Sequence, residues 1–266
     1  AFLVDEIEIS EKLENNFNKD KLINKGFKEA FKKLMILLIK STDLKKVNNT
    51  SLNEIKSMVE TFSIKEEKFI NQTYYLNLGV SFNKKRVFSY LEQKNIFPTQ
   101  IIKEQFLFIP IIVDQEDENL LIFSDNLIYQ NWNKKKDINL LIDYILPTED
   151  LEDFNLIKRQ YSDIENYDFK EITEKYFLDK SIITLVFRSG NKIKILSKIN
   201  IGEKKIIKNN TFEKIDFENV DQIQSFIGKL KVIYEDFWKE NNLINTSIKL
   251  PLIIQVDNKN LNLSSK

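Results

Sequence analysis

The stretch Phe106-Leu107-Phe108-Ile109-Pro110-Ile111-Ile112-Val113 constrains this chain more than any other. Successive side chains of a strand point to opposite sides, so an unbroken apolar run cannot have one wet face. It predicts a strand buried on both faces, with packed elements above and below it. Pro110 has no N–H to give to a ladder, so a sheet edge or a bulge is expected there.

Upstream of that run the patterns are amphipathic. Tyr74, Leu76, Leu78, Val80 and Phe82 alternate with Tyr75, Asn77, Gly79 and Ser81, which predicts a half-buried strand. A partner strand precedes it across Asn71-Gln72, and Ile7 and Ile9 alternate with Glu6 and Glu8 in another strand. Leu22, Ile23, Phe27, Phe31, Leu34, Met35 and Leu38 keep helical spacing and predict a helix over about 19–40. Gly26 inside it costs up to about 1 kcal/mol against Ala. Ser51-Leu52-Asn53-Glu54 has the form of a capping box and opens a helix expected to reach about Thr61. Val87, Tyr90 and Leu91 mark a short helix ending near Lys94. Residues 1–97 therefore read β-α-α-β-β-α, and Phe97-Pro98-Thr99-Gln100 marks a boundary.

A second unit is expected over 103–240. After the buried run come an acidic turn at 114–118 and a short strand at 120–123. Asp125 is expected to cap a brief helix through Trp132, and a buried strand over 140–146 ends at Pro147. Residues 148–160 form an acidic-start helix, with Lys158 and Arg159 in its last turn as the helix dipole favours. Asp168 is expected to cap a helix through Tyr176. Strands at 182–188 and 192–198 close a hairpin around Ser189-Gly190-Asn191, and a third strand covers about 204–208. From Phe217 to Trp238 apolar residues recur at helical spacing for six turns. Residues 248–256 read as one more strand, so 245–266 is expected to be a terminal strand or the start of a truncated third domain. The fold class is α+β: two small sandwich-like α/β units, the second a mixed sheet with helices.

Composition narrows the chemistry. The 266 residues include 40 basic and 40 acidic side chains, no His and no Cys. Disulfides, thiol nucleophiles, His-based zinc sites and Ser–His–Asp machinery cannot be built from this chain. Any catalysis falls to Asp, Glu, Lys or Tyr, and any protein metal site is oxygen-rich, suited to calcium or magnesium. The 38 Ile, 37 Lys and 29 Asn against three Arg match an A/T-rich coding bias, so Lys84-Lys85-Arg86 and Lys134-Lys135-Lys136 read as solvated faces. Zero net charge and scarce Arg argue against nucleic acid as a partner. No apolar run reaches the roughly 18 residues of a membrane span. The five glycines form neither a dinucleotide fingerprint nor a phosphate loop.

The candidate binding residues are Glu149, Asp150, Glu152, Asp153, Trp132 and Arg188. Four carboxylates within six residues, after a strand, form either a hard-cation or acid–base site or simply a helix start favouring negative charge. The Tyr129/Trp132 and Phe237/Trp238 pairs line either a pocket or an interface, or pack in the core. Arg188, beside Ser189-Gly190, is either a bidentate carboxylate contact or a hairpin rim residue.

Several of these stretches resemble an uncharacterised family of exported proteobacterial proteins, best represented among alphaproteobacteria and known as a domain of unknown function. The likeness runs over about 20–240. It is carried by the helix from Lys21 to Leu38, the strand from Tyr74 to Phe82 leading into Asn83, and Phe108-Ile109-Pro110-Ile111. Tyr129-Gln130-Asn131-Trp132 and Ile145-Leu146-Pro147-Thr148-Glu149-Asp150-Leu151-Glu152-Asp153 complete it. Thr148-Glu149 stands where that family usually has Leu-Gly. The second unit is also similar in layout to the amino-terminal domain of the Tol-system propeller protein and to flagellar-ring assembly proteins, which serve as binding scaffolds. The resemblance implies an exported, periplasmic protein, longer in full than this chain, with an envelope protein as partner and no catalytic residues to carry over. The opening Ala1-Phe2-Leu3-Val4 fits either removal of a secretory signal before Ala1 or a trimmed chain, and no cofactor is expected. The alternative reading is a carboxylate-dependent hydrolase or calcium- or magnesium-binding protein centred on 149–153.

Overall fold

The computed structural model of the protein describes residues 1–135 and 140–244. Its first sheet is antiparallel with order β1-β3-β2, built from β1 (Phe2–Lys12), β2 (Val59–Ile70) and β3 (Thr73–Phe82). The helices α1 (Lys19–Leu38), α2 (Leu44–Val47), α3 (Leu52–Met58) and α4 (Lys84–Gln93) accompany it. Leu76, Leu78, Val80 and Phe82 of β3 are buried against Leu22, Phe27, Phe31, Leu34 and Leu38 of α1 in one core. The alternation and the helical stripe thus meet as their periods require.

Asn18 starts α1 by accepting from the amides of Asp20 and Lys21. Gly26 is explained by close approach: a Cβ there would lie 2.5 Å from Leu78 Cδ1 and 2.9 Å from Ile9 Cδ1. The capping box forms as read, with Ser51 and Glu54 bonding reciprocally. Its helix stops at Met58, short of Thr61, because Val59 turns extended and pairs with Phe82. Asn71 and Gln72 make the β2–β3 turn with both residues at positive φ, the geometry that matches strand twist.

The second sheet has order β5-β4-β7-β8-β9, with β6 also on β4. Its strands are β4 (Glu104–Asp114), β5 (Asn119–Leu121), β6 (Ile142–Ile145), β7 (Lys180–Ser189), β8 (Lys192–Ile201) and β9 (Lys204–Glu213). The helices α5 (Leu127–Asn131), α6 (Leu151–Lys158), α7 (Lys170–Thr173) and α8 (Val220–Asn241) pack on it. The run through 106–113 is the hub, parallel to both β6 and β7. Phe106, Phe108 and Ile112 join α5 and α8 in one core; Leu107, Ile109, Ile111 and Val113 join α6 and α7 in another. Both faces are covered, and the chain as a whole is α+β.

Pro110 corrects the expectation of an edge or a bulge. The β4–β7 register runs through it without a shift. On the other side of β4, β6 pairs only up to Leu107 and β5 only from Ile112. Pro110 sits in that gap, and its carbonyl accepts from the Asn126 side-chain amide at 3.0 Å. Backbone N and O of one strand residue face the same side, so the missing N–H deprives no ladder.

Other boundaries shift for local reasons. Asn126, not Asp125, caps α5, accepting from Ile128 and Tyr129. Asp168 accepts from Lys170 N, but Phe169 and Phe177 at positive φ restrict the expected helix to one turn of α7 and a 3-10 turn at Glu174–Tyr176. β9 extends to Glu213, beyond the expected 204–208. Between the sheets, Thr99 N donates to Leu38 O and Gln100 N to Asn242 O. The expected strand at 248–256, the terminal unit at 245–266 and Lys136 lie outside the described residues.

Candidate functional site

The acidic stretch before α6 spreads its carboxylates instead of converging them. Asp150 is the N-cap and accepts from Glu152 N and Asp153 N. Asp153 is buried and receives Lys175 Nζ at 2.6 Å, a contact that raises the lysine's pKa. Glu149 turns away to accept from Ser124 Oγ at 2.8 Å, and Glu152 is exposed. The loop behind them is fastened by Tyr129 OH donating to Pro147 O and by Tyr176 OH accepting from Thr148 N. Among the described residues, no three acidic side chains are grouped so as to hold a metal ion.

Trp132 is fully buried. Its ring stacks on Phe108 at 3.8 Å between centroids, meets Tyr144 edge-on, and has Lys231 Nζ 5.5 Å from its centre. Trp238 is likewise in the core, with Nε1 donating to Ile102 O. Nearby, burial pushes the Tyr234 phenol up to about 12, although Ser197 and Thr184 both bond it. Arg188 lies at the carboxyl ends of β4 and β7, where it pairs with Asp114 and covers the Phe217 ring. A cleft of about 540 Å³ opens beside it, bordered by Lys192, Lys214 and Glu116. Asp114 is buried, unlike the exposed remainder of the acidic turn at 115–118. Burial works to raise its pKa, but the amides of Asp117 and Glu116 together with Arg188 outweigh that and hold it low.

A second set of polar residues was not singled out from the sequence. Ile223, Ile227, Lys231, Glu235 and Lys239 form one row at four-residue spacing on α8, and its three charged members turn inward. Glu235 and Lys239 are only 5% and 4% exposed. The Glu235 carboxylate accepts from Leu141 N at 3.0 Å and Ile142 N at 2.8 Å, capping the approach to β6. Burial raises its pKa, though the two amides and Lys239 pull the other way. Lys239 Nζ donates to Ile36 O at 2.5 Å, and burial lowers its pKa. That contact serves the end of α1, which has no basic residue in its last turn. Asp236 accepts from Ser41 N at 2.7 Å and from the Ser41 hydroxyl. The row therefore rivets the two sheets together around a cavity of about 330 Å³ lined also by Leu44, Leu140 and Val232. The legible signal was charge continuing an apolar i, i+4 row.

A third surface is uncommitted. Tyr75, Asn77, Gly79 and Ser81 face away from the helices, flanked by Leu3, Glu8 and Ser10 of β1 and Glu66, Lys68 and Ile70 of β2. Leu3, Ile70 and Tyr75 are 67%, 50% and 43% exposed. Gly79 makes room for Lys65 Nζ to reach Asp5 across the central strand at 2.6 Å. Lys68 pairs with Glu66, so Glu6 and Glu8 leave the centre acidic around Asn77, which donates to Glu6. A cleft of about 420 Å³ lies over Glu8, Tyr75 and Asn77.

No protein-family model matches the chain, and no curated protein matches it. Among the described residues, no helix is long and apolar enough to cross a membrane.

Proposed function

We propose that this protein is a non-catalytic binding and assembly scaffold for another envelope protein, exported to the periplasm. The observation that carries the reading is the uncovered face of the first sheet, where Leu3, Ile70 and Tyr75 surround an acidic centre. The sequence candidates for chemistry are meanwhile engaged in capping, ion pairing and core packing. The partner that fits presents Lys or Arg beside an aromatic or branched apolar side chain. Its cation meets Glu6 and Glu8, and its apolar group packs on Tyr75. The same acidic centre repels polyanions, which speaks against nucleic acid. Export rests on the family resemblance.

The test places a photo-crosslinking amino acid at Tyr75 in the full-length protein in cells and identifies adducts by mass spectrometry. One dominant envelope adduct, lost in the Glu6→Lys/Glu8→Lys variant, is the expected outcome. Adducts that survive the charge reversal, or that also form from a probe at the distant exposed Phe177, would reject this face as the binding surface.

A further inference from the structure

Among the described residues five strands present edges, and four of them are bulged or short. β1 and β2 are interrupted by register shifts at Val4/Ile7 and at Val59/Thr61 and Ile64/Glu66. β5 and β6 span only three and four residues. Bulges and short lengths are the usual means by which edges avoid unwanted partners. β9 has neither. It pairs with β8 over ten consecutive residues without a shift, and β8 is its only strand partner among the described residues.

The sequence of β9 is complementary to itself. An antiparallel copy centred on Asn209 sets Lys208 against Asn210, Ile207 against Thr211, Ile206 against Phe212 and Lys205 against Glu213, each twice about a two-fold axis. The pairs respect the strand's two faces. Ile206 and Phe212 both pack toward the α8 core, while Lys205, Ile207, Thr211 and Glu213 are exposed on the other side. Within the chain, and among the described residues, neither Lys205 nor Glu213 has an ion-pair partner. Lys208 of a second copy lies opposite Asn210 on the inner face. Sliding the copy by two residues one way sets Lys208 against Lys208; sliding it the other way sets Glu213 against Ile207. Like charges opposite each other destabilise a ladder, which disfavours the first alternative; the second forfeits the Lys205–Glu213 pairs, and the Asn209-centred register carries one like-charge pair of its own, Lys204 opposite Lys214 at its end.

We infer that β9 is a homodimerisation edge, joining two copies of this chain antiparallel through a continuous sheet with Asn209 on the two-fold. Lys205, which discourages foreign strands, is answered by Glu213 of the second copy, so the edge favours its own sequence. This inference is independent of the surface proposed above for the envelope partner.

Light scattering on the full chain should give twice 31.6 kDa, with dissociation on dilution. Lys205→Glu and Glu213→Lys should each weaken the dimer about tenfold or more, since two attractive pairs become repulsive. Mixing the two single variants should restore a dimer containing one of each, and the double variant should recover its own dimer. The chain has no Cys, so Asn209→Cys provides a second reading: it should oxidise to a disulfide-linked dimer. Ile207→Cys should not, because two copies of that residue lie roughly 13 Å apart in this register. A chain that stays monomeric at millimolar concentration overturns the inference. So does a dimer indifferent to both reversals, or single variants that fail to complement each other while circular dichroism shows them folded.

Discussion

Replacing Glu235 tests whether α8 fastens the approach to β6. The carboxylate satisfies two buried amides, Leu141 N and Ile142 N. In Glu235→Ala both lose their acceptor where water is excluded. An unsatisfied buried donor costs about 1–3 kcal/mol, so the pair is worth about 2–6 kcal/mol. That is a large part of the roughly 5–15 kcal/mol by which a domain is stable. Glu235→Gln keeps an oxygen in the place of Oε1, which already accepts from both amides. It should remain within about 1 kcal/mol of the parent at neutral pH. Urea unfolding followed by tryptophan fluorescence suits the test, because both Trp132 and Trp238 are buried in the core that α8 closes. The pH dependence has a definite sign. The pKa of Glu235 is raised in the fold above its ordinary 4.5. Its favourable linkage is therefore fully present below 4.5 and is lost as pH rises through the raised value. The parent should gain stability relative to the Gln variant on acidification through that window. Equal midpoints for Ala and Gln would refute the assignment of the two amide bonds, and a parent-minus-Gln difference that grows with pH would refute the direction of the shift.

Three further substitutions probe separate contacts. Asp114→Asn should cost about 1–3 kcal/mol at pH 7 by weakening the Arg188 pair and the turn. Because its pKa is depressed below 3.8, that contribution is present above 3.8 and lost as pH falls through the lower folded value, so denaturation curves of parent and variant should converge in acid. Gly26→Ala should destabilise by about 1–3 kcal/mol through overpacking, reversing the roughly 1 kcal/mol that alanine offers an unobstructed helix; thermal melting decides the sign. Asp150→Ala should remove the cap of α6 at a cost of about 0.5–2 kcal/mol, and amide exchange should rise first at Glu152 and Asp153.

What could be read from the sequence follows from where the determining contacts lie. The alternation from Tyr74 to Phe82 was readable because one face of β3 meets a core and the period alone reports that. The apolar run at 106–113 was readable for the same reason applied to two faces. The capping box was readable because its bonds span three residues. Features set by distant neighbours were not. Pro110 looks like an edge residue until β5 and β6 are seen to stop on either side of it, and nothing local says where they stop. Gly26 looks like a weak point in α1 until Leu78 occupies its missing side chain. Glu235 and Lys239 look like ordinary charges on a long helix, because their partners are the backbone of β6's approach and of α1's end, about 95 and 200 residues away in the chain. Backbone acceptors and donors have no residue identity to read. A charged side chain that serves them has only one local signature, its place in a row that begins apolar, and α8 shows that row from Ile223 to Lys239. The same reasoning separates the two proposed surfaces. The acidic sheet face joins three strands and emerges only when they pair, whereas the complementarity of β9 is contained in ten consecutive residues and needed the structure only to show that its edge is regular and has no second strand partner among the described residues.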